Sequence, residues 1–560
     1  VVAAQQQQQL GLVRQASGPP PLRRDVERLA KESFDLTVIG GGISGVAIAY
    51  EAAARGLRTA LVERHDYACG TTTASTKLIH GGVRYLESFE FSLVREALRE
   101  RRILLNVAPH LINTLPFLLP VYHDSAAGRL KLTAGMFVYD LLSYDKNWKV
   151  RNDKHMPWRK SLSKASVLEM EPALDPDGLQ GAALYYDAQV PSPARLTIEF
   201  AKSAVRHGAA LANYAEVEGL AIDNGALSAV KVHDLRSGEH IQIKTRVAVN
   251  AAGLWATRVM GMLAEQPKVH LAPSKGIHLI TRPLLKEHAA VFLTRAGRRL
   301  MIIPWLGKSL IGTTDVFYKG NIERIRCTHD EIVEMVREVN EVLPSAKLHI
   351  EEVERAYAGC RPLIAKAGVS SLDLSRHWEI VDHAHEHARG IYSVVGGKLT
   401  TSRSVAKHVI DRVQKHIGHK SGSPTRQLPI GGGDIGPLEA EIAQLSKDFG
   451  LDEDVAKALM HSYGSGARPM LEAAKSEPRA LERIQPGRPY LRAEVRHAVE
   501  QESAFAVTDV ALRRTDLGNL GDAGGEGGRV IADEMQRLLG WNDAERDRQL
   551  AAYLDELKID

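Results

Sequence analysis

Cysteine is scarce in this chain. Cys69, Cys327 and Cys360 are the only three in 560 residues, far apart and without a CxxC or Cys/His metal spacing. Neither a disulfide framework nor structural zinc is expected, and a reducing, cytosolic compartment is the simplest setting. An excess of one charge is missing too. Against 68 acidic side chains stand 72 basic ones, a net +4, too little over this length to argue for nucleic acid. No apolar run reaches the length of a membrane span. The best candidate, Leu111 to Tyr122, is short and broken by Pro116 and Pro120. The first residues lack the charged-then-apolar pattern of a signal peptide. What remains is an ordinary globular composition, 44% hydrophobic and 25% charged, in a chain too long for one core.

Residues 1–33 read as a solvated, disordered leader, with Gln5–Gln9 and Gly18-Pro19-Pro20-Pro21. Asp35–Ile39 is a short β-type run, followed by glycines, an Ala-rich helical stretch and a second strand, Arg58–Val62. Leu227–His233, preceded by an Asn224-Gly225 turn signal, and Ile241–Lys244 read as strands, as does Val247–Asn250. From His270 to Asp315, short apolar runs alternate with turns (His278–Thr281, Ala290–Thr294, Leu300–Trp305, Ser309–Thr313), which predicts a mostly antiparallel sheet. A composition break at Ser421–Asp434 separates a region rich in Ala, Leu, Glu and Arg at helical spacing.

Gly40-Gly41-Gly42-Ile43-Ser44-Gly45 fits G-x-G-x-x-G between a strand and a helix. In such a motif Gly40 permits the tight turn, Gly42 lets a pyrophosphate approach the backbone, and Gly45 lets helix and strand pack closely. The helix start offers N–H groups to the phosphates. Glu63, at the end of the second strand and 18 residues after Gly45, is placed to bond both ribose hydroxyls and disfavours a 2′-phosphate. The pattern suits NAD and FAD alike.

Residues 70–86, GTTTASTKLIHGGVRYL, are too polar and aperiodic for a core strand. Their hydroxyls and glycines suit a loop against a polar ring system such as flavin. A helix follows, with Val94, Ala97, Leu98 and Leu105 as its apolar positions.

With these residues in view, the chain resembles the FAD-dependent glycerol-3-phosphate dehydrogenases of the bacterial type. The resemblance rests on Gly40–Gly45, STKLIHGGVRYLE at 75–87, APHL at 108–111, IPW at 303–305 with GTTD at 312–315, GCRPL at 359–363 and GGKLTT at 396–401. Animal mitochondrial relatives end in calcium-binding loops, and no D-x-D-x-D-G pattern stands here. The implied fold class is α/β. A Rossmann-type FAD-binding domain (34–115 with 195–260 and 355–420) adjoins an antiparallel-sheet substrate domain (116–194 with 261–354). An all-α C-terminal domain (430–560) completes the chain.

The resemblance implies FAD held by Gly40, Gly42, Ile43, Ser44, Gly45, Glu63, Thr71, Thr72, Ser75, Thr76, Lys77, Leu78, Val217, Gly253, Gly397, Lys398, Leu399 and Thr400. It implies a substrate pocket of His80, Arg84, Tyr85, Arg376 and Lys398, and catalytic roles for His278 and Arg361. The reaction would be oxidation of sn-glycerol 3-phosphate to dihydroxyacetone phosphate, with hydride passing from C2 to flavin N5 and electrons onward to a quinone. A phosphate dianion calls for convergent cations, which this set supplies. His278 has the ordinary pKa of a base, whereas a guanidinium stays protonated and suits Arg361 to stabilising a developing alkoxide.

Other readings are a glycerol-3-phosphate oxidase using oxygen, another flavin oxidase of the D-amino-acid-oxidase superfamily, and a flavin-binding scaffold or sensor without turnover. A homodimer is left open. His383, His385 and His387 with Glu386 read as a solvated loop rather than a metal site. Peripheral contact with anionic lipid, on the inner face of the cytoplasmic membrane, is expected of the family. The sequence basis is DKNWKVRNDKHMPWRK at 145–160, where Lys146, Lys149, Arg151, Lys154, Arg159 and Lys160 interleave with Trp148, Met156 and Trp158.

Overall fold

The computed structural model describes residues 20–123, 128–263, 269–365, 377–522 and 524–560. Its centre is a six-stranded sheet in the order Trp378–Asp382, Ile391–Gly396, Ala248–Asn250, Leu36–Ile39, Thr59–Val62 and Ala210–Ala212. All neighbours are parallel except the first pair. The central strands are apolar on both faces because both are covered: Leu36, Val38 and Leu61 share a core with helices, whereas Ile39, Ala60 and Val62 share one with Val230 and Ile243 of a smaller sheet. Ile43–Ala54 packs between Pro193–Arg206 and Ser402–Ile417, so LTVI and TALV are buried throughout. The glycines of the first βα turn therefore sit at the carboxyl ends of parallel strands, where such sheets open a crevice.

A second, ten-stranded sheet is antiparallel apart from one parallel pair, Asn113–Tyr122 with Ala289–Leu293. The expected strands between 278 and 313 all lie in it. Two long members gave no sequence signal: Leu179–Gln189, and Val353–Ile364, which carries the GCRPL motif. The interrupted run at 111–122 becomes a strand whose Pro116 and Pro120 stand opposite Tyr186 and Ala182. A small four-stranded sheet is folded through the Asn224-Gly225 turn, both residues having positive φ. No helix among the described residues is long and apolar enough to cross a membrane.

Three expectations need correction. Residues 20–33 are not solvated chain: Leu22 and Leu29 are buried, and Val26–Lys31 is helical. The Leu22 N–H donates to the Gln501 carbonyl while its own carbonyl accepts from Ser503 Oγ. Residues 1–19 lie outside the described residues. The stretch 145–160, read as the basis of contact with anionic lipid, does not present all its basic residues to a surface. Lys146 and Lys154 are buried, donating to the Pro157 and Ile112 carbonyls, and Met156 is in the core. Arg151 pairs with Asp153 and caps the Ile435 and Gly436 carbonyls. Finally, His383 and Glu386 are buried; the ring lies between Glu386 Oε2 (2.8 Å) and Ser393 Oγ (2.9 Å).

The helical tail is not an appendage. Its apolar residues, Tyr490, Val495, Val507 and Ile531 among them, share one core with Leu98, Phe117 and Trp305. Buried ion pairs reinforce the join. Arg513 and Arg514 both grip Asp66, just past the second central strand, and Arg195 pairs bidentately with Glu502. Burial alone would raise the Asp66 pKa, but Arg514 and Arg513 hold it below the usual carboxylate value. Removing one partner strands a buried charge. Asp66→Ala is expected to cost about 3–5 kcal/mol, read as a fall in the unfolding midpoint. Asp66→Ala combined with Arg513→Met and Arg514→Met should cost less than the sum of its parts.

Candidate active site

The first βα turn is shaped by contact rather than flexibility. Gly40 adopts φ +110°, and a Cβ there would stand 2.8 Å from the Ala251 carbonyl oxygen. A Cβ on Gly45 would overlap the Gly40 carbonyl, so helix and strand meet only because both side chains are missing. One expected donor is already engaged: the Ile43 N–H bonds Thr72 Oγ1 at 3.1 Å, tying the polar loop to the helix start. Glu63 accepts from the Gly41 and His65 N–H groups at 2.6 and 2.8 Å. Burial raises its pKa against those two bonds.

These residues form one end of a cavity of about 1470 Å³. Every expected site residue within the described set lines it except Gly45, which acts through packing. Arg376 lies outside the described residues. The polar loop runs along the cavity, with Thr71 Oγ1 donating to the Cys360 carbonyl and Thr72 on Ile43. Val217 and Gly253 close the Glu63 side, and Gly397–Thr400 face the loop from the last central strand.

At the other end the charged groups converge. Arg84 Nη2 donates to Tyr85 Oη at 3.1 Å, and Lys398 Nζ lies 3.7 Å from the Tyr85 ring centre. That ammonium is buried and has no hydrogen-bond acceptor among the described residues. Its desolvation lowers the Lys398 pKa. A buried ammonium whose near neighbour is the Tyr85 side chain rather than a contacting carboxylate fits a cavity built for an anion. His80 is held neutral, its pKa lowered to about 4 by burial, with Lys398 and Arg84 outweighing part of the pull of Asp187.

His278 and Arg361 come from adjacent antiparallel strands, Leu271–Thr281 and Val353–Ile364, in the register Ser274 to Arg361 and His278 to Tyr357. Gly276, between them, leaves room for the guanidinium; a Cβ there would lie 2.6 Å from Arg361 Nη2. Arg361 also bonds Thr313 Oγ1 at 3.0 Å. His278 Nε2 lies 2.9 Å from Thr76 Oγ1, while its buried Nδ1 has no partner among the described residues. Burial, then Arg361 and Lys77, push the His278 pKa well below its ordinary value, so the ring is neutral at pH 7.

Sequence reasoning missed the support behind these groups. Tyr357 stacks on His278 at 5.0 Å. The buried Lys77 ammonium stands 5.1 and 5.5 Å from the Trp305 and Tyr357 ring centres. Asp187 accepts from Tyr139 Oη and Gly81 N–H behind the Gly81-Gly82 turn. Trp255, Arg258 and Asp315 also line the cavity. The motifs at 75–87, 303–305 and 312–315 take in Lys77, Gly81, Trp305 and Asp315, but Tyr357, Tyr139, Asp187, Trp255 and Arg258 carried no signal.

The geometry fits a flavin dinucleotide: a glycine turn with a terminal acid at one end, a hydroxyl-rich loop alongside, and room for a small anion beyond. Comparison with known proteins agrees. Residues 35–412 match the family described as FAD dependent oxidoreductase, and residues 423–546 match the C-terminal domain of alpha-glycerophosphate oxidase. The chain is 35% identical to a glycerol-3-phosphate dehydrogenase of Synechocystis, over 95% of this chain and 97% of that one. It is 34% identical to an aerobic glycerol-3-phosphate dehydrogenase of Bacillus subtilis, over 87% and 88%. The solved glycerol-3-phosphate dehydrogenase of Bacillus halodurans, complexed with FAD, superposes with a TM-score of 0.78 at 28% identity, covering 95% and 96%. A glycine oxidase from Geobacillus kaustophilus, at 22% identity and TM-score 0.52, shares the fold. This chain belongs to the FAD-dependent oxidoreductases, among the glycerol-3-phosphate dehydrogenases.

Proposed function

We propose that the protein oxidises sn-glycerol 3-phosphate to dihydroxyacetone phosphate and delivers the electrons to a membrane quinone. The observation that carries this reading is the convergence of Arg84, Lys398 and Arg361 on a cavity that also presents a neutral, buried His278. A carboxylate substrate would need one anchoring cation; a phosphate dianion uses several. FAD, when bound, supplies the acceptor for the hydride leaving C2.

The chain's own groups do the rest. Arg84 and Lys398 hold the phosphate and orient the substrate. His278 takes the C2 hydroxyl proton, which an alcohol must lose as its C–H bond yields hydride. Arg361 stays charged and stabilises the alkoxide as it develops. The name of the domain matched by residues 423–546 favours a second reading in which oxygen is the acceptor.

The contact with lipid needs a different surface from 145–160 as a whole. The helix Arg129–Leu142 and the turns after it expose Phe137, Leu141, Tyr144, Trp148 and Trp158, each more than half accessible, and Phe89 is 76% exposed nearby. Cations border them: Lys146 lies over Trp158, Lys149 and Arg102 over Trp148, and Arg95 over Tyr144. Aromatic side chains with cations beside them suit the interfacial layer of an anionic membrane.

Three outcomes are expected. First, FAD-loaded protein should reduce a dye with sn-glycerol 3-phosphate but not with glycerol. Arg84→Ala and Lys398→Ala should each lose at least ~10-fold in kcat/KM with flavin retained, since one charge-assisted contact contributes about 1.5–3 kcal/mol. Reoxidation by added quinone without oxygen, and with little peroxide in its presence, separates dehydrogenase from oxidase. Second, a base acts only when unprotonated, so the low pKa of His278 keeps the enzyme active well below pH 6.5. Lys77→Met removes a nearby positive charge, raises that pKa, and should move the acid limb of kcat/KM to higher pH; an unmoved limb counts against His278. Third, vesicle co-sedimentation should require anionic lipid and weaken in high salt. It should drop in Phe137→Glu with Leu141→Glu, while turnover with the dye persists.

A further inference from the structure

On the four-stranded sheet, three potential ligands meet on three neighbouring strands. His233 of Ala226–Asp234 stands directly opposite His240 of His240–Thr245 in the antiparallel register. Their rings are stacked, 4.4 Å between centres and 6° from parallel. Glu218, on Ala215–Asp223, reaches both: its Oε2 is 2.9 Å from His240 Nδ1 and its Oε1 is 3.5 Å from His233 Nδ1. One ligand atom from each residue lies within 4.8 Å of the others.

We infer that Glu218, His233 and His240 form a site for a divalent transition-metal ion of the zinc class. Two imidazoles and one carboxylate are a three-ligand set that binds zinc with water completing the shell, and imidazole donors select zinc, copper or nickel over magnesium and calcium. Both Nδ1 atoms already face the same carboxylate, so the donor side of each ring is turned to a common point. Zinc bonds of about 2.0–2.2 Å require the three atoms to draw together. The side chains have the freedom to do so, being exposed or half-exposed, while the sheet ladder fixes their backbones. In the absence of an ion the carboxylate can accept from both rings. An ion takes the place of those two hydrogens, so affinity falls as the imidazoles protonate in acid.

The position gives the site a consequence. Val217 and Glu216, immediately before Glu218, line the large cavity, and Glu216 also pairs with Arg258. An ion on Glu218 ties the strand that carries this part of the cavity wall to its two neighbours in the sheet. The inference rests on side-chain geometry alone and stands whether or not the substrate has been assigned correctly.

The test uses FAD-loaded, full-length, untagged protein with zinc as titrant, and cobalt as a spectroscopic probe. The chain has 22 histidines, so location matters more than binding. Calorimetry should find one ion per chain whose affinity falls at least ~10-fold in His233→Ala, His240→Ala and Glu218→Gln. The cobalt visible bands should disappear in the His233→Ala, His240→Ala double variant, which lies on the surface and should keep its melting temperature. Zinc should raise the melting temperature of the wild type and not of that double variant. Zinc affinity unchanged in the double variant, or no stoichiometric binding at pH 7.5, overturns the assignment. Binding untouched by Glu218→Gln removes the carboxylate and overturns it as well.

Discussion

The grip of Arg513 and Arg514 on Asp66 is the contact on which the rest of the architecture leans. Asp66 follows the strand that ends at Glu63 and precedes the polar loop along the cavity. It therefore fixes the path of the chain between the two parts of the cofactor end. A guanidinium and a carboxylate this deeply buried are costly to desolvate, and only mutual pairing with full hydrogen bonding offsets that cost. The second cluster, Arg195 with Glu199, Glu502 and Lys202, repeats the arrangement one helix away. Both clusters join the α/β core to the helical tail. The tail is therefore part of the frame that holds the cavity.

Within that frame the cavity is electrostatically graded. Near the glycine turn, a carboxylate and backbone N–H groups prevail. At the far end Arg84, Arg361 and Lys398 bring positive charge, while burial holds His80 and His278 neutral beside them. The neutrality of His278 follows from its neighbours: an imidazolium between Arg361 and Lys77 would face two like charges with little water to screen them. Arg361, one of the cations that suit an anion, thus also helps to keep the His278 imidazole neutral. The exposed aromatic face around Arg129–Leu142 lies apart from this chemistry and involves neither His278 nor Arg361.

Much of this was legible in the sequence because it is local. The glycine turn, Glu63 and the strand-helix-strand order depend on spacing and period alone, and the structure reproduces their arrangement. The motifs at 75–87, 359–363 and 396–401 carry their residues to one cavity. What misled is also explicable. Gln and Pro runs near the start suggested solvated chain as far as residue 33, but Leu22 and Leu29 find apolar cover from distant segments. The basic stretch 145–160 looked like one charged surface; Lys146, Arg151 and Lys154 instead satisfy carbonyls that only the folded neighbours present.

The sequence by itself determined the elements and the chemistry: a parallel βα core with a dinucleotide turn, an antiparallel sheet, a helical tail, and the cations and histidines of the site. Only the tertiary structure decided which of those charges face the cavity and which are consumed as struts. A lone Arg or Lys carries no mark of its partner, and the partner is fixed by register and packing across hundreds of residues. Asp66 meets Arg514 and His278 faces Tyr357 because sheets and helices bring them together. The low pKa of His278 likewise comes from burial and from charges on other strands, which no local pattern encodes.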